Sequence, residues 1–201
     1  MNIMEWEYNM EYFAHSTAVI DRGAYIGKNT RIWHFSHVSS KVRIGKKCNI
    51  GQSVFIDNNT TIGNYCKIQN NVNIYEGVVL EDFVFCGPSM TFTNVKIPRA
   101  RYPRERGGCY YLKTLVKEGA SIGAHVTIVC GVTIGKNALI GSGAVVTKDV
   151  PNHAIIVGNP GKQIGWACEC GKRLYKTEDV FHCSDCEKKY KENTVGLEEL
   201  K

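Results

Sequence analysis

Residues 44–74 read IGKKCNIGQSVFIDNNTTIGNYCKIQNNVNI, and isoleucine occupies every sixth position: Ile44, Ile50, Ile56, Ile62, Ile68 and Ile74. The same frame runs backward through Val38, Ile32 and Ile26 to Ile20, and forward through Leu80 and Cys86 to Phe92. At the chain's 43% apolar content, an unbroken apolar run of this length arises by chance at about 10⁻⁴. The frame resumes as Val116, Ile122, Ile128, Ile134, Ile140 and Val146. Thirteen of the eighteen isoleucines fall in these two runs, so the frame, not composition, dictates where isoleucine is placed.

Two residues before the frame positions stand small or apolar side chains: Ala18, Ala24, Thr30, Ser36, Val42, Cys48, Val54, Thr60 and Cys66. Glycine often follows the frame, at Gly27, Gly45, Gly51, Gly63, Gly123, Gly135 and Gly141. Two inward positions in a period of six describe a short strand and a tight corner, repeated. The glycines suit corners that a β-carbon would obstruct. Three units close one triangular coil of eighteen residues, and the nineteen frame positions make about six coils. At ~4.8 Å per coil the prism is roughly 30 Å tall. An amphipathic α-helix would space its apolar residues by three and four, which these runs do not.

Such a repeat resembles the hexapeptide-repeat acyltransferases, and the resemblance implies a left-handed parallel β-helix and a homotrimer. The general rule for parallel crossovers would have given the right-handed form. The expected fold class is all-β: a left-handed parallel β-helix of about six coils over residues 1–166, interrupted by one basic loop at 94–113. A small cysteine-rich, zinc-ribbon-like tail at 167–201 follows. The repeat specifies the fold strongly and the substrate hardly at all.

No apolar run approaches the roughly 18 residues of a membrane span. The opening MNIMEWEYNM carries acidic residues and no apolar core of a leader peptide. A cytoplasmic protein without a membrane partner is expected. The nine cysteines, an odd number, fit reduced thiols better than a disulfide framework. The net charge of +6 is concentrated between Asn94 and Lys113, where Lys96, Arg99, Arg101, Arg104, Arg106 and Lys113 face Glu105 alone. A single basic loop with no structural purpose legible in the sequence suits a compact polyanion, a diphosphate or CoA. Nucleic acid would require a positive field over a whole surface, so none is expected as a partner.

If the loop stands in for one coil, the corners sort into three edges. His34, Gln52, Asn70, Pro88, Ala124 and Ser142 stack along the first; Ser40, Asn58, Glu76, Asn94, Cys130 and Lys148 along the second; Lys28, Lys46, Asn64, Asp82, Glu118 and Lys136 along the third. The third is nearly all charged and reads as solvent-facing, leaving two edges for the two neighbours in a closed trimer. The plainer reading of the first edge is a polar surface.

Acetyl transfer to an amine requires a held thioester, a neutral amine, oxyanion stabilisation and a proton acceptor. No Ser-His-Asp or Cys-His arrangement is visible, and direct transfer needs no protein nucleophile. His34 and His37, in Trp33-His34-Phe35-Ser36-His37, are the candidate bases, with the departing thiolate as the alternative proton acceptor. Their plainer role is hydrogen bonding at an interface. His125 reads as structural, and Cys86 and Cys130 as core or corner residues, not nucleophiles.

The segments IWHFSHV (32–38), IQNNVNIY (68–75), FCGPSMTFTNV (85–95), PRA (98–100), LVKEGASIGA (115–124), TIVCGVTIG (127–135), GAVVTKDVP (143–151) and GNP (158–160) run collinearly. Over about residues 12–167 they are similar to the bacterial sugar-nucleotide N-acetyltransferases. The resemblance implies transfer from acetyl-CoA to the 3-amino group of a nucleotide-linked amino sugar in surface polysaccharide (O-antigen) biosynthesis. UDP-2-acetamido-3-amino-2,3-dideoxyglucuronate is the first acceptor it suggests; a dTDP-3-amino-3,6-dideoxyhexose or a 4-amino sugar nucleotide is the alternative. Carried onto this chain, it puts Asn94 at the acceptor amine or acetyl group and Arg99 at the acceptor's anionic part. His37, Gln52, Gln69 and Asn70 are further candidate acceptor contacts, with His34 beside Asn94 in the catalytic set. CoA would lie beside Ser142, Ala144, Lys148 and Lys162 at a subunit interface. Two departures from the pattern are Pro160-Gly161-Lys162, where Pro-Ala-Lys is usual, and the arginine-rich stretch Ala100–Tyr111, which leaves the acceptor open.

Near the end, Cys168 and Cys170 precede Cys183 and Cys186. Four thiolates in two close pairs are what a tetrahedral structural zinc requires, although the first pair is tighter than usual. The charged stretch Lys172–Lys191 offers little core, so a metal would be what folds it; a loose reduced tail is the other reading. Two further functions fit the fold. A γ-type carbonic anhydrase needs three converging histidines, and a purely structural β-helix needs neither the basic loop nor the GNP segment.

Overall fold

The computed structural model describes residues 11–200, so the opening MNIMEWEYNM and the expectation resting on it lie outside the described residues. From Phe13 the chain winds as a three-faced parallel β-helix. Face A has nine strands, from Phe13–Ala14 to Lys162–Trp166; face B has seven, from Val19–Ile20 to Val145–Val146; face C has six, from Tyr25–Ile26 to Thr133–Ile134. Six coils therefore carry a strand on every face; a seventh runs through Leu139–Ile140, Val145–Val146 and the Val150 bridge to Ile134, and Ala154–Val157 opens an eighth on face A. Neighbouring coils pair at eighteen residues, Ile50 with both Ile32 and Ile68. Across the loop the offset doubles to thirty-six, with Phe85 opposite Ser121, Thr91 opposite Thr127 and Val78 opposite Thr114. The loop thus stands in for one coil, and the three edges continue through it unbroken. Among the described residues no helix is long and apolar enough to cross a membrane.

The frame residues form the interior: Ile32, Ile44, Ile50, Ile56, Ile68, Ile74, Ile122, Ile128 and Ile134 are fully buried. Burying one such side chain contributes about 1.5–3 kcal/mol, so this stack is the main source of stability. The second inward column serves the corners. Thr30 Oγ1 donates to the Gly45 carbonyl at 2.8 Å, Ser36 Oγ to Gly51 at 2.7 Å, and Cys48 Sγ to Gly63 at 3.1 Å. Buried corner carbonyls that no ladder reaches are satisfied in this way. The corner glycines answer to space. A β-carbon on Gly45 would lie 2.6 Å from the carbonyl carbon of Gly63 in the next coil. The left-handed backbone falls two residues later, on residues that carry side chains: Asn29, Phe35, Lys47, Ser53, Asn59, Tyr65 and Asn71 have φ between 54° and 62°.

Each face ends differently, and together the three ends close what would be open sheet edges. On face A, Ala154–Val157 pairs with Leu139–Ile140 and the chain returns antiparallel as Lys162–Trp166. On face B, Val145 N–H donates to Gly158 O at 3.0 Å and Gly161 N–H to Val145 O at 2.8 Å. Face C is closed by the tail: Asn152 N–H donates to Val195 O at 2.9 Å and Leu197 N–H to Asn152 O at 3.2 Å. Gly196 sits so close there that a β-carbon would lie 2.5 Å from Asn152 N. The tail is a four-stranded antiparallel sheet of Tyr175–Thr177, Val180–His182, Lys189–Asn193 and Gly196–Glu199. Its small core is Cys168, Leu174, Phe181, Cys183, Tyr190 and Leu197, and Trp166 packs against both this core and the main one. His153 joins the two: its Nδ1 lies 2.9 Å from Ala167 O and its ring 4.9 Å from that of Tyr190.

Candidate active site on the prism edges

The first edge gathers the N-terminal polar residues expected of the site. Trp33, His34, Asn49, Gly51, Gln52, Gln69 and Asn70 line one open groove of about 270 Å³. Trp33 Nε1 donates to Asn49 Oδ1 at 2.9 Å, which ties the indole to the next coil. His34 stacks on His15, ring centroids 3.5 Å apart. Asn70 is partly committed to the fold, because its Oδ1 accepts the Gln52 backbone N–H at 2.9 Å; its amide N–H₂ is what remains for a ligand.

His37 is not on this edge. It lies on face B, its Nε2 buried 3.2 Å from Asp21 Oδ1 and its ring 5.7 Å from Phe55. Of the two candidate bases, His37 is the one with a carboxylate beside it, although its buried Nε2 makes no hydrogen bond.

At the C-terminal end of the first edge, Ser142 is exposed, and the Val145–Gly158 and Val145–Gly161 bonds bring Gly158–Lys162 alongside it. Ser142 and Lys162 are both exposed at this end of the prism. Ala144 is not: its side chain is fully buried in the prism. Its N–H donates to Gly141 O and its carbonyl accepts from Thr127, so neither faces a ligand. Lys148 is exposed but lies on the second edge. From His34 to Ser142 the first edge rises five coil steps, about 24 Å.

Asn94 opens the loop on the second edge, half-buried, with its carbonyl accepting from Leu112 N–H at 3.1 Å. Face B separates it from His34, so one chain alone does not bring the two expected catalytic residues together. The loop's neck is a Val95–Tyr111 bridge with Lys96 N–H donating to Tyr110 O at 3.0 Å. Arg99 is exposed, its Nη1 donating only to the adjacent Pro98 carbonyl at 3.0 Å. The loop's charge does have structural uses that sequence reasoning missed. The Arg104 guanidinium lies 4.1 Å above the Tyr110 ring, and Arg106 pairs with Glu76 and Asp57. A partial signal was present, since Glu76 stands one coil before Asn94 in the same column.

Cys86 and Cys130 are buried, and burial pushes the Cys86 thiol up to about 12, as a core residue requires and a nucleophile does not. In the tail, the four sulfurs of Cys168, Cys170, Cys183 and Cys186 all lie within 4.8 Å of one another. Cys168 and Cys186 are 3.3 Å apart, Cys170 and Cys183 3.6 Å, too far for disulfides. Tetrahedral ligands at about 2.3 Å from zinc stand roughly 3.8 Å from one another, so the donor set fits that ion. Backbone N–H groups, that of Cys186 foremost, hold the Cys183 thiol down to about 7, while the neighbouring thiols hold Cys170 and Cys186 above the ordinary range. This is the one cluster of three or more metal-ligating side chains among the described residues. That cluster contains no histidine.

The bacterial transferase hexapeptide family (six repeats) matches residues 23–58, 47–82 and 113–148. The chain is 42% identical over 179 residues to dTDP-3-amino-3,6-dideoxy-alpha-D-galactopyranose 3-N-acetyltransferase of Aneurinibacillus thermoaerophilus, covering 89% of this chain and 90% of that protein. Two solved structures share the fold. A mutant GDP-perosamine N-acetyltransferase from Caulobacter crescentus, in complex with CoA and GDP-perosamine, has a TM-score of 0.50 at 20% identity. The acetyltransferase domain of PglB from Neisseria gonorrhoeae, in complex with acetyl coenzyme A, has 0.51 at 18%. Each alignment covers 77% of this chain, which spans 58% of either of those chains.

Proposed function

The chain belongs to the bacterial hexapeptide-repeat transferase family, and from that membership we propose that it moves acetyl from acetyl-CoA to the amino group of a nucleotide-linked amino sugar. The observation that carries this reading is the 42% identity, sustained over nine tenths of both chains, to an enzyme named for that reaction. The same relative favours a dTDP-linked 3-amino-3,6-dideoxyhexose as acceptor. A uronate such as UDP-2-acetamido-3-amino-2,3-dideoxyglucuronate is the second reading, and the basic loop is compatible with it. Among the described residues no carboxylate lies within 4 Å of Lys96, Arg99 or Arg101, so these cations can take an acceptor carboxylate as well as a diphosphate.

In this mechanism the neutral sugar amine attacks the thioester carbonyl directly. The Asn94 carboxamide donates to the oxyanion; as the C–N bond forms the C–S bond breaks, and the amine's proton reaches the departing CoA thiolate directly or by way of a histidine. Ser142 and Lys162 hold the CoA end. Because Asn94 and the His34 groove lie on different edges, the complete site takes the second edge of one subunit and the first edge of its neighbour, in a homotrimer. Light scattering that finds a fully active monomer would end that arrangement. The tail cysteines hold a structural zinc, which fixes the fold of the tail and takes no part in transfer.

The test is a thiol-release assay with acetyl-CoA against dTDP- and UDP-linked 3-amino and 4-amino sugars. Turnover with a 3-amino sugar nucleotide supports the reading. Absence of CoA release with every member of the panel rejects it.

A further inference from the structure

Arg106 belongs to the basic loop, yet its guanidinium reaches back across two coils of the second edge. Its Nε stands 2.5 Å from Glu76 Oε2 and its Nη2 2.9 Å from Asp57 Oδ1. The second Glu76 oxygen accepts from Asn59 Nδ2 at 2.6 Å. The two carboxylate side chains are only 23% and 14% exposed. Without the guanidinium, two partly buried carboxylates on adjacent coils would lose their shared counter-charge. Arg106, then Asn59, holds the Glu76 carboxyl below its ordinary range. A planar fork can bridge two carboxylates on adjacent coils, which the point charge of an ammonium cannot match.

The other loop arginines are placed differently. Arg104 donates to Ile97 O at 3.1 Å and covers Tyr110, so it binds the loop to itself. Arg99 reaches only its neighbour's carbonyl. The Val95–Tyr111 neck fixes where the loop leaves the prism but not where its tip lies. Among the described residues, Arg106 is the loop side chain that ties the tip to the body by ion pairs.

We propose that Arg106 is a positioning residue: with Glu76 and Asp57 it latches the basic loop along the second edge, so that Lys96, Arg99 and Arg101 meet the anionic part of the acceptor as a preformed set. This rests on the acceptor reading given above. An unlatched loop must be ordered at the moment of binding, which weakens acceptor affinity while leaving the reacting atoms as they were.

The experiment compares the parent with Arg106→Gln, Arg106→Lys, Glu76→Gln and the Arg106→Gln/Glu76→Gln pair, all checked for unchanged thermal unfolding. Arg106→Gln should raise the acceptor KM about 10-fold, with kcat within about twofold and the acetyl-CoA KM unchanged. Arg106→Lys should fall between. The pair should be no worse than Arg106→Gln alone, because both changes remove one contact. Independently of substrate, tryptic cleavage after Arg99 and Arg101 should run about 10-fold faster in Arg106→Gln, because local opening exposes the tip. An unchanged cleavage rate overturns the latch, as does a kcat that falls as far as KM rises. If the parent acetylates no nucleotide sugar, the functional reading fails by itself, and the cleavage rates alone decide whether the latch exists.

Discussion

Removing the proposed zinc from the tail, by chelation or by a Cys183→Ser/Cys186→Ser variant, should loosen the C-terminal end of face C and leave the earlier coils intact. The tail's core comprises six residues, far too few for an independent fold of this length without a metal or similar support. In such units the metal's binding free energy is the folding free energy. When the tail opens, the prism loses the Asn152–Val195 and Leu197–Asn152 backbone bonds and both bonds between His153 and Ala167. At about 0.5–1.5 kcal/mol net for each hydrogen bond, the four amount to roughly 2–6 kcal/mol. That is about 30- to 10⁴-fold in the population of locally opened molecules. Hydrogen exchange followed by mass spectrometry reads it directly. Peptides covering residues 133–153 should exchange faster by that factor, while those covering 44–74 keep their protection. Unchanged exchange at 133–153 after verified metal loss would refute the cap, and zinc-free protein on fresh purification would refute the metal.

Asn94→Ala should lower turnover by about 10²-fold or more, the scale of a lost oxyanion donor, and should cost more than His34→Ala. A silent Asn94→Ala beside a dead His34→Ala inverts that ranking. Arg99→Ala should chiefly raise the KM for the sugar nucleotide and spare that for acetyl-CoA, as steady-state kinetics with each substrate varied will tell. Burial, the largest influence on His153, holds it below its ordinary value of 6.5. Below that pH the unfolded chain takes up a proton that the folded one refuses, so stability should fall as pH drops from 7.5 to 5.5. His153→Asn should flatten that slope in thermal melts; an unaltered slope assigns it to other groups.

The six-residue frame was enough to read the coils, their number and the edge register, because each coil repeats one local rule: an inward isoleucine, a small companion, a corner. The loop kept this register legible by replacing one whole coil, as the Phe85–Ser121 pairing records. What the frame could not reveal were contacts between residues far apart in the chain. Arg106 is 49 residues from Asp57, and the two meet only because coils stack. Ala144, expected beside CoA, has its side chain buried in the prism for a related reason. A frame-minus-two residue points inward, and its column, with Thr30, Ser36 and Cys48, already said so. The separation of Asn94 from His34 by face B was implicit in the edge lists. It becomes meaningful only once the site is taken to span two subunits.

The central claim concerns which atom receives the acetyl group. Incubating the protein with acetyl-CoA and a dTDP-linked 3-amino-3,6-dideoxyhexose, and locating the new acetyl by two-dimensional NMR, tests it most directly. The account predicts an amide at the 3-amino nitrogen, with one CoA released for each amide formed. An ester on a sugar hydroxyl, or intact acetyl-CoA beside intact amino sugar nucleotides of both the dTDP and UDP series, would contradict it.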